Sequence, residues 1–127
     1  MTGPDPIKVV IVEDNRVFRE ALELLLGLRT DLHVVASVAD GEEAVSVCRK
    51  HEPHVALMDY RLPGLDGIET TRLLREACPD VAVVALTASA NRDEMTALKE
   101  AGAVACLTKD QDLDAIVGAI QEAASRT

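Results

Sequence analysis

Five residues of this 127-residue chain could do chemistry together: Glu13, Asp14, Asp59, Thr87 and Lys109. Each follows a short aliphatic run directly or after one intervening residue, as in VVIVED, VALMD, VVALT and ACLTK. Asp59 is the most pointed case, because buried apolar strands do not normally end in an unpaired acid. If the set converges, three carboxylates meet at one rim of an aliphatic core. Each like-charge pair at ~4 Å repels by ~4 kcal/mol at an effective dielectric near 20, so positive charge must compensate. Lys109 supplies one charge, and a hard divalent cation would supply the rest. Carboxylates, a backbone carbonyl and retained water describe a Mg²⁺ site better than zinc, which prefers Cys and His. The alternative is that each acid is a helix N-cap or a solvated loop residue, which suits Asp14 taken alone, and Asp40 and Asp66. It suits the set poorly, since independent caps would not select an acid pair, a lone acid, a hydroxyl and a lysine.

The elements that must position these residues are legible in the hydropathy. IKVVIV (7–12), LHVVASV (32–38), HVALM (54–58), VAVVAL (81–86) and AVACL (103–107) are aliphatic runs of the kind buried on both faces of a parallel sheet. Helical patterns lie between them. Phe18, Leu22, Leu25 and Leu26 mark one face of the first, and Leu113, Ile116, Val117 and Ile120 one face of the last. Asp40 with Glu43, Asp66 with Glu69 and Asn91 with Glu94 have capping-box spacing, and Gly102 stands where a left-handed C-cap is expected. Strand and helix alternate five times, and right-handed crossovers then give an α/β fold with helices on both faces of the sheet. Two strand orders are plausible for such a doubly wound (βα)5 sheet, and the flavodoxin-like order 2-1-3-4-5 puts the switch point between strands 1 and 3. One domain is expected over 7–127, after a flexible segment 1–6.

Composition narrows the function further. Net charge is −9 and only Phe18 and Tyr60 are aromatic, a poor basis for gripping nucleic acid. Cys48, Cys78 and Cys106 lack CxxC spacing and read as core thiols of a reducing compartment. His33, His51 and His54 lack metal-ligand spacing and read as strand-edge and loop residues. No run reaches the ~20 apolar residues of a membrane span, and MTGPDP does not begin a signal peptide, so a soluble cytoplasmic protein is expected. No GxGxxG or GxxxxGK[ST] follows the first strand, which removes the main support for dinucleotide or P-loop binding.

Taken in order, VVIVEDN, LMDYRLPGLDG, ALTA and CLTKD resemble the motifs of the receiver domain of two-component response regulators. The resemblance covers roughly residues 7 to 124. DYRLPGLDG and TKD are most similar to the NarL/FixJ type, whose members usually carry a helix-turn-helix DNA-binding domain after the receiver. It implies that Asp59 accepts a phosphoryl group from a phosphohistidine on a sensor histidine kinase. It also implies that Mg²⁺ is held by Asp59, Asp14, Glu13 through water, and the backbone carbonyl of Arg61. Lys109 would pair with one phosphoryl oxygen and Thr87 would hydrogen-bond another. Arg61 and Ser89 would tune the lifetime of the phosphoryl group, or serve as plain surface residues, while Pro63 and Gly64 serve a turn. Cys106 stands where an aromatic switch residue is common, and Asp110 where Pro is common.

The implied protein is a phosphoacceptor with only self-phosphorylation and self-dephosphorylation chemistry, a monomer driven toward a homodimer by phosphorylation. It would meet DNA only through a C-terminal domain not in this chain, and would have no membrane partner. Two other classes compete. An aspartate-nucleophile phosphatase would carry a second Asp at position 61, which here is Arg61. A receiver-like binding module working without phosphorylation would not require the complete acidic set.

Overall fold

The computed structural model describes residues 5–61, 66–88 and 91–125; Pro63, Gly64, Ser89 and the first four residues lie outside them. Ten elements alternate: β1 (Ile7–Val12), α1 (Arg16–Gly27), β2 (Leu32–Val38), α2 (Gly41–His51), β3 (Val55–Asp59), α3 (Gly67–Ala77), β4 (Ala82–Thr87), α4 (Arg92–Ala101), β5 (Ala105–Thr108) and α5 (Leu113–Ser125). All strand pairs are parallel, in the order β2-β1-β3-β4-β5. The expected doubly wound architecture is therefore present.

Alternation along the strands divides the core in two. Val9, Ile11, Leu57, Val84 and Leu86 pack with Leu22 and Leu26 of α1 and with Ile116, Val117 and Ile120 of α5. Val10, Val12, Ala56, Met58, Val83 and Ala85 pack with Ala44 and Cys48 of α2, Leu74 of α3 and Leu98 of α4. Both faces of β3, β4 and Val9–Val12 of β1 are thus buried, which is why those stretches are apolar up to Asp59 and Thr87. Cys78 and Cys106 pack against the second cluster, and all three cysteines are free thiols.

Side chains close the helices as expected for three of the proposed caps. Asp40, Asp66 and Asn91 accept from the backbone N–H groups of Glu43, Glu69 and Glu94 at 2.8, 2.8 and 3.1 Å. Gly102 ends α4 with φ of +123°, a backbone conformation that side chains rarely adopt. The N-cap of α1 is Asn15, whose Oδ1 accepts from Phe18 N–H at 3.0 Å, and Asp14 before it is exposed. This helix corrects one reading. Leu25 does not share the buried face of Leu22 and Leu26, because it lies ~100° around the helix from Leu26. It joins Val17, Ala21, Leu24 and Leu28 among the exposed residues of that helix and its C-cap.

Candidate functional site

The strands' carboxyl ends bring the chemistry-bearing residues to one rim. Glu13 directly follows β1, and its N–H is held by Val38 O at 3.0 Å. Asp59 and Thr87 were expected just beyond their strands; they are instead the last residues of β3 and β4. The ladder runs one rung further than the apolar runs, with Asp59 level with Leu86 and Tyr60 N–H donating to Leu86 O at 3.0 Å. Lys109 directly follows β5, fixed by its N–H donating to Thr87 O at 2.8 Å.

α3 approaches the end of β3 very closely. Gly67 N–H donates to Tyr60 O at 2.8 Å, and a Cβ on Gly67 would lie 2.8 Å from Asp59 O, Tyr60 Cα and Tyr60 O. These are backbone atoms that cannot swing aside, so glycine is required for the turn that aims Asp59. Within this turn Arg61 N–H lies 3.4 Å from Asp59 Oδ1.

Around Asp59 the charges are tightly coupled. Lys109 Nζ lies 2.7 Å from Glu13 Oε1 and 3.4 Å from Asp59 Oδ1. Glu13 and Asp59 are almost wholly buried, whereas Asp14 is exposed. Burial, then the neighbouring Glu13 carboxylate, pushes the Asp59 carboxyl up to about 7. Burial pulls Lys109 down, but its contacts with Glu13 and Asp59 outweigh this and hold the ammonium above its ordinary value. The lysine is therefore charged, and it does not neutralise the crowd by itself.

The donor set fits a hard cation. Glu13, Asp14 and Asp59 each offer a carboxylate oxygen within 4.8 Å of the others, the one such group of three or more acid, His or Cys ligands among the described residues. Glu13 Oε1 is buried and, despite its ion pair with Lys109, has no aligned hydrogen-bond donor among the described residues. An all-oxygen set with a surplus of negative charge and a solvent-facing member is the environment in which Mg²⁺ retains part of its water.

Three residues at the rim escaped the reading from sequence. Asn15 joins the acidic turn to α1, its N–H donating to Glu13 Oε2 at 2.9 Å. Phe18, expected only as core, lies under Lys109 with Nζ 4.9 Å from its ring centroid. Glu94 forms a 3.7 Å ion pair with the exposed guanidinium of Arg61, joining the turn after Asp59 to α4. Phe18 and Glu94 carry no local signal for these contacts, which depend on where side chains point across elements, whereas Asn15 as an N-cap residue is a local signal that was passed over.

The doubly wound α/β domain thus gathers an acidic cluster, a lysine and a hydroxyl at the carboxyl ends of its strands. The family model for the response regulator receiver domain matches residues 9–121, and the chain belongs to that family. It is 36% identical to the transcriptional regulatory protein DegU of Brevibacillus brevis over 91% of this chain and 49% of DegU. It is 37% identical to the response regulator GacA of Pseudomonas protegens, over 91% of this chain and 54% of GacA. The signal receiver domain of the response regulator NarL from Mycobacterium tuberculosis superposes with a TM-score of 0.92 at 31% identity, covering 96% of this chain and 98% of that one. The chain thus spans about half the length of the curated relatives it matches. Among the described residues no helix is long and apolar enough to cross a membrane.

Proposed function

We propose that Asp59 is the phosphoacceptor of this receiver domain and that Glu13, Asp14, Thr87, Lys109 and Arg61 serve it. Receiver domains take phosphoryl groups from histidine kinases or phosphotransfer proteins. In that reaction a carboxylate oxygen of Asp59 attacks phosphorus, the P–N bond to the donor imidazole breaks, and the imidazole retains its electron pair and takes up a proton. The product is an aspartyl phosphate. The observation that carries the reading is the Lys109 ammonium 2.7 Å from Glu13 and 3.4 Å from Asp59, at the end of a buried strand.

Each residue has work that its position suits. Asp59 is aimed by the β3 ladder and by the Gly67 turn. Lys109 would shift from Glu13 toward an incoming phosphoryl oxygen, acting as a point charge. Thr87, one rung beyond Asp59 on the adjacent strand, would donate its hydroxyl to another. Mg²⁺, held by Glu13, Asp14, Asp59 and the backbone carbonyl of Arg61, would neutralise the charge gathering around the phosphoryl group. The Arg61 side chain, paired with Glu94 at the rim, would govern water entry and so phosphoryl lifetime.

A helical phosphodonor would rest on α1, which begins beside the acidic turn. Val17, Ala21, Leu24 and Leu28 form an exposed apolar line at 4-3-4 spacing down that helix and its C-cap, and exposed apolar stretches of this kind mark interaction sites. The output would be transcriptional, through a DNA-binding domain elsewhere in the full protein, with phosphorylation favouring a homodimer in the cytoplasm. Cys106 occupies the usual aromatic switch position, its Sγ 3.7 Å from Met95 O of α4, so coupling to the α4–β5–α5 face would run through this smaller contact.

Incubation with acetyl phosphate and Mg²⁺ tests the reading. Intact mass should rise by one phosphoryl group in wild type and not in Asp59→Asn. A wild type that stays unmodified under conditions that label an established receiver would refute it.

A further inference from the structure

We propose that Phe18 is a positioning residue for Lys109, its ring face holding the ammonium at the rim while the carboxylates are committed elsewhere. The inference rests on the reading of Lys109 as the cation that meets the phosphoryl group. Among the described residues Lys109 Nζ meets Glu13 Oε1 at 2.7 Å, Asp59 Oδ1 at 3.4 Å and, thirdly, the Phe18 ring centroid at 4.9 Å. The third lies well within the ~6 Å over which a ring quadrupole attracts a cation.

What holds the ring there is a closed circuit of contacts. Glu13 Oε2 accepts from Asn15 N–H at 2.9 Å, and Asn15 Oδ1 accepts from Phe18 N–H at 3.0 Å. Phe18 lies under Lys109, and Lys109 returns to the other oxygen of Glu13. Arg19 ties the same turn from outside, Nη1 donating to Glu13 O at 2.8 Å. The half-buried Phe18 side chain also packs against the core shared by α1 and α5, which limits its freedom to move away.

The division of labour follows from charge. A carboxylate partner holds the ammonium strongly but is itself needed by a cation and by phosphorus. An aromatic face carries no net charge, so it can fix the ammonium's place without neutralising it. As Lys109 leaves Glu13 for a phosphoryl oxygen, the ring is the neighbour that does not change its charge. Phe18 is one of two aromatic residues in this chain, the other being Tyr60.

The test is a double-mutant cycle in the 127-residue chain, with initial rates of labelling by acetyl phosphate and Mg²⁺ as readout. An exposed contact of this type is worth about 0.5–1 kcal/mol, or roughly two- to fivefold in rate. Phe18→Leu should slow labelling by about that factor, and Phe18→Tyr should recover most of it. In a Lys109→Met background Phe18→Leu should have no further effect. Equal slowing in both backgrounds, or none in either, would overturn the proposal.

A second measurement needs no phosphoryl transfer. With lysines reductively methylated with ¹³C-formaldehyde, the Lys109 methyl signals, assigned by Lys109→Met, should be displaced by the ring current and relax toward the other lysines in folded Phe18→Leu. Unchanged signals would overturn the placement. Failure of wild type to accept phosphoryl would instead count against Asp59 as acceptor, and the methyl signals would still decide the Phe18–Lys109 contact.

Discussion

The Lys109 ammonium is closer to Glu13 than to Asp59, 2.7 Å against 3.4 Å, although Asp59 is the residue at the end of the central strand. The lysine rests on the acidic turn. On the proposed reading Glu13 would be more than a distant member of a cation site: it would hold the charge that Asp59 later needs. Glu13→Gln removes one carboxylate from the cluster and loosens the lysine. Mg²⁺ affinity, followed through the fluorescence of the adjacent Tyr60, should weaken by about tenfold. An unchanged affinity would take Glu13 out of the cation site.

Asp59 gives the metal-free protein a pH signature. Its carboxyl is held at about 7 by burial and by Glu13, against an ordinary value of 3.8. For an acid raised on folding, the associated stability is fully present below the unfolded value and is lost as pH climbs through the folded one. In EDTA, wild type should therefore weaken between about pH 4 and pH 7 relative to Asp59→Asn. Urea denaturation should find the variant more stable at pH 8 by about 1–2 kcal/mol, a figure reduced for screening at the rim, with little difference near pH 4. Equal pH slopes would contradict the crowded site.

The same titration couples to metal. A cation that needs the Asp59 carboxylate must displace its proton, so Mg²⁺ affinity should rise from pH 6 to pH 8 and flatten above. Isothermal titration in buffers of different ionisation enthalpy should register proton release at pH 6. Absence of release there would separate the cation from Asp59.

Gly67→Ala asks whether the turn aims the acid. The added methyl meets backbone at 2.8 Å on three atoms, so α3 must shift or the end of β3 must deform. A loss of about 1–3 kcal/mol in urea denaturation is expected, with slower acetyl phosphate labelling. Wild-type stability in this variant would mean that the approach of α3 is softer than its geometry.

The exposed line on α1 separates donor docking from chemistry. Leu24→Glu changes a residue 66% exposed, so stability should move by no more than about 0.5 kcal/mol. Labelling by acetyl phosphate should be unaffected, while transfer from a phosphorylated histidine kinase that labels wild type should fall by tenfold or more. Equal loss with both donors would place the effect in the pocket, and no loss with either would remove α1 from the docking surface.

Much of this arrangement was legible before any coordinates, for identifiable reasons. Strands buried on both faces must be aliphatic, and β1 and β2 match their runs at both ends. β3 and β4 extend one residue beyond theirs because hydrogen bonding, not hydropathy, ends a strand, and Asp59 and Thr87 still belong to the ladder. The acids and Lys109 could be placed because every parallel strand delivers its carboxyl end to the same rim. Phe18 beneath the lysine and Gly67 against Tyr60 could not be read, since each is a distance between segments that local pattern leaves open, whereas Asn15 as cap is a local contact that was passed over because no Glu stands three residues on. Leu25 was misjudged because six apolar residues within nine positions, 18–26, leave the width of the buried face undetermined.

Asp59 as the atom-level site of phosphoryl attachment is tested most directly by chemical trapping. Protein labelled with acetyl phosphate and Mg²⁺ is reduced with borohydride, which converts an aspartyl phosphate to homoserine, then digested and sequenced by mass spectrometry. The account predicts homoserine at position 59 and at no other aspartate. Homoserine at Asp14 or Asp66, or none in protein whose mass has risen by a phosphoryl group, would contradict it.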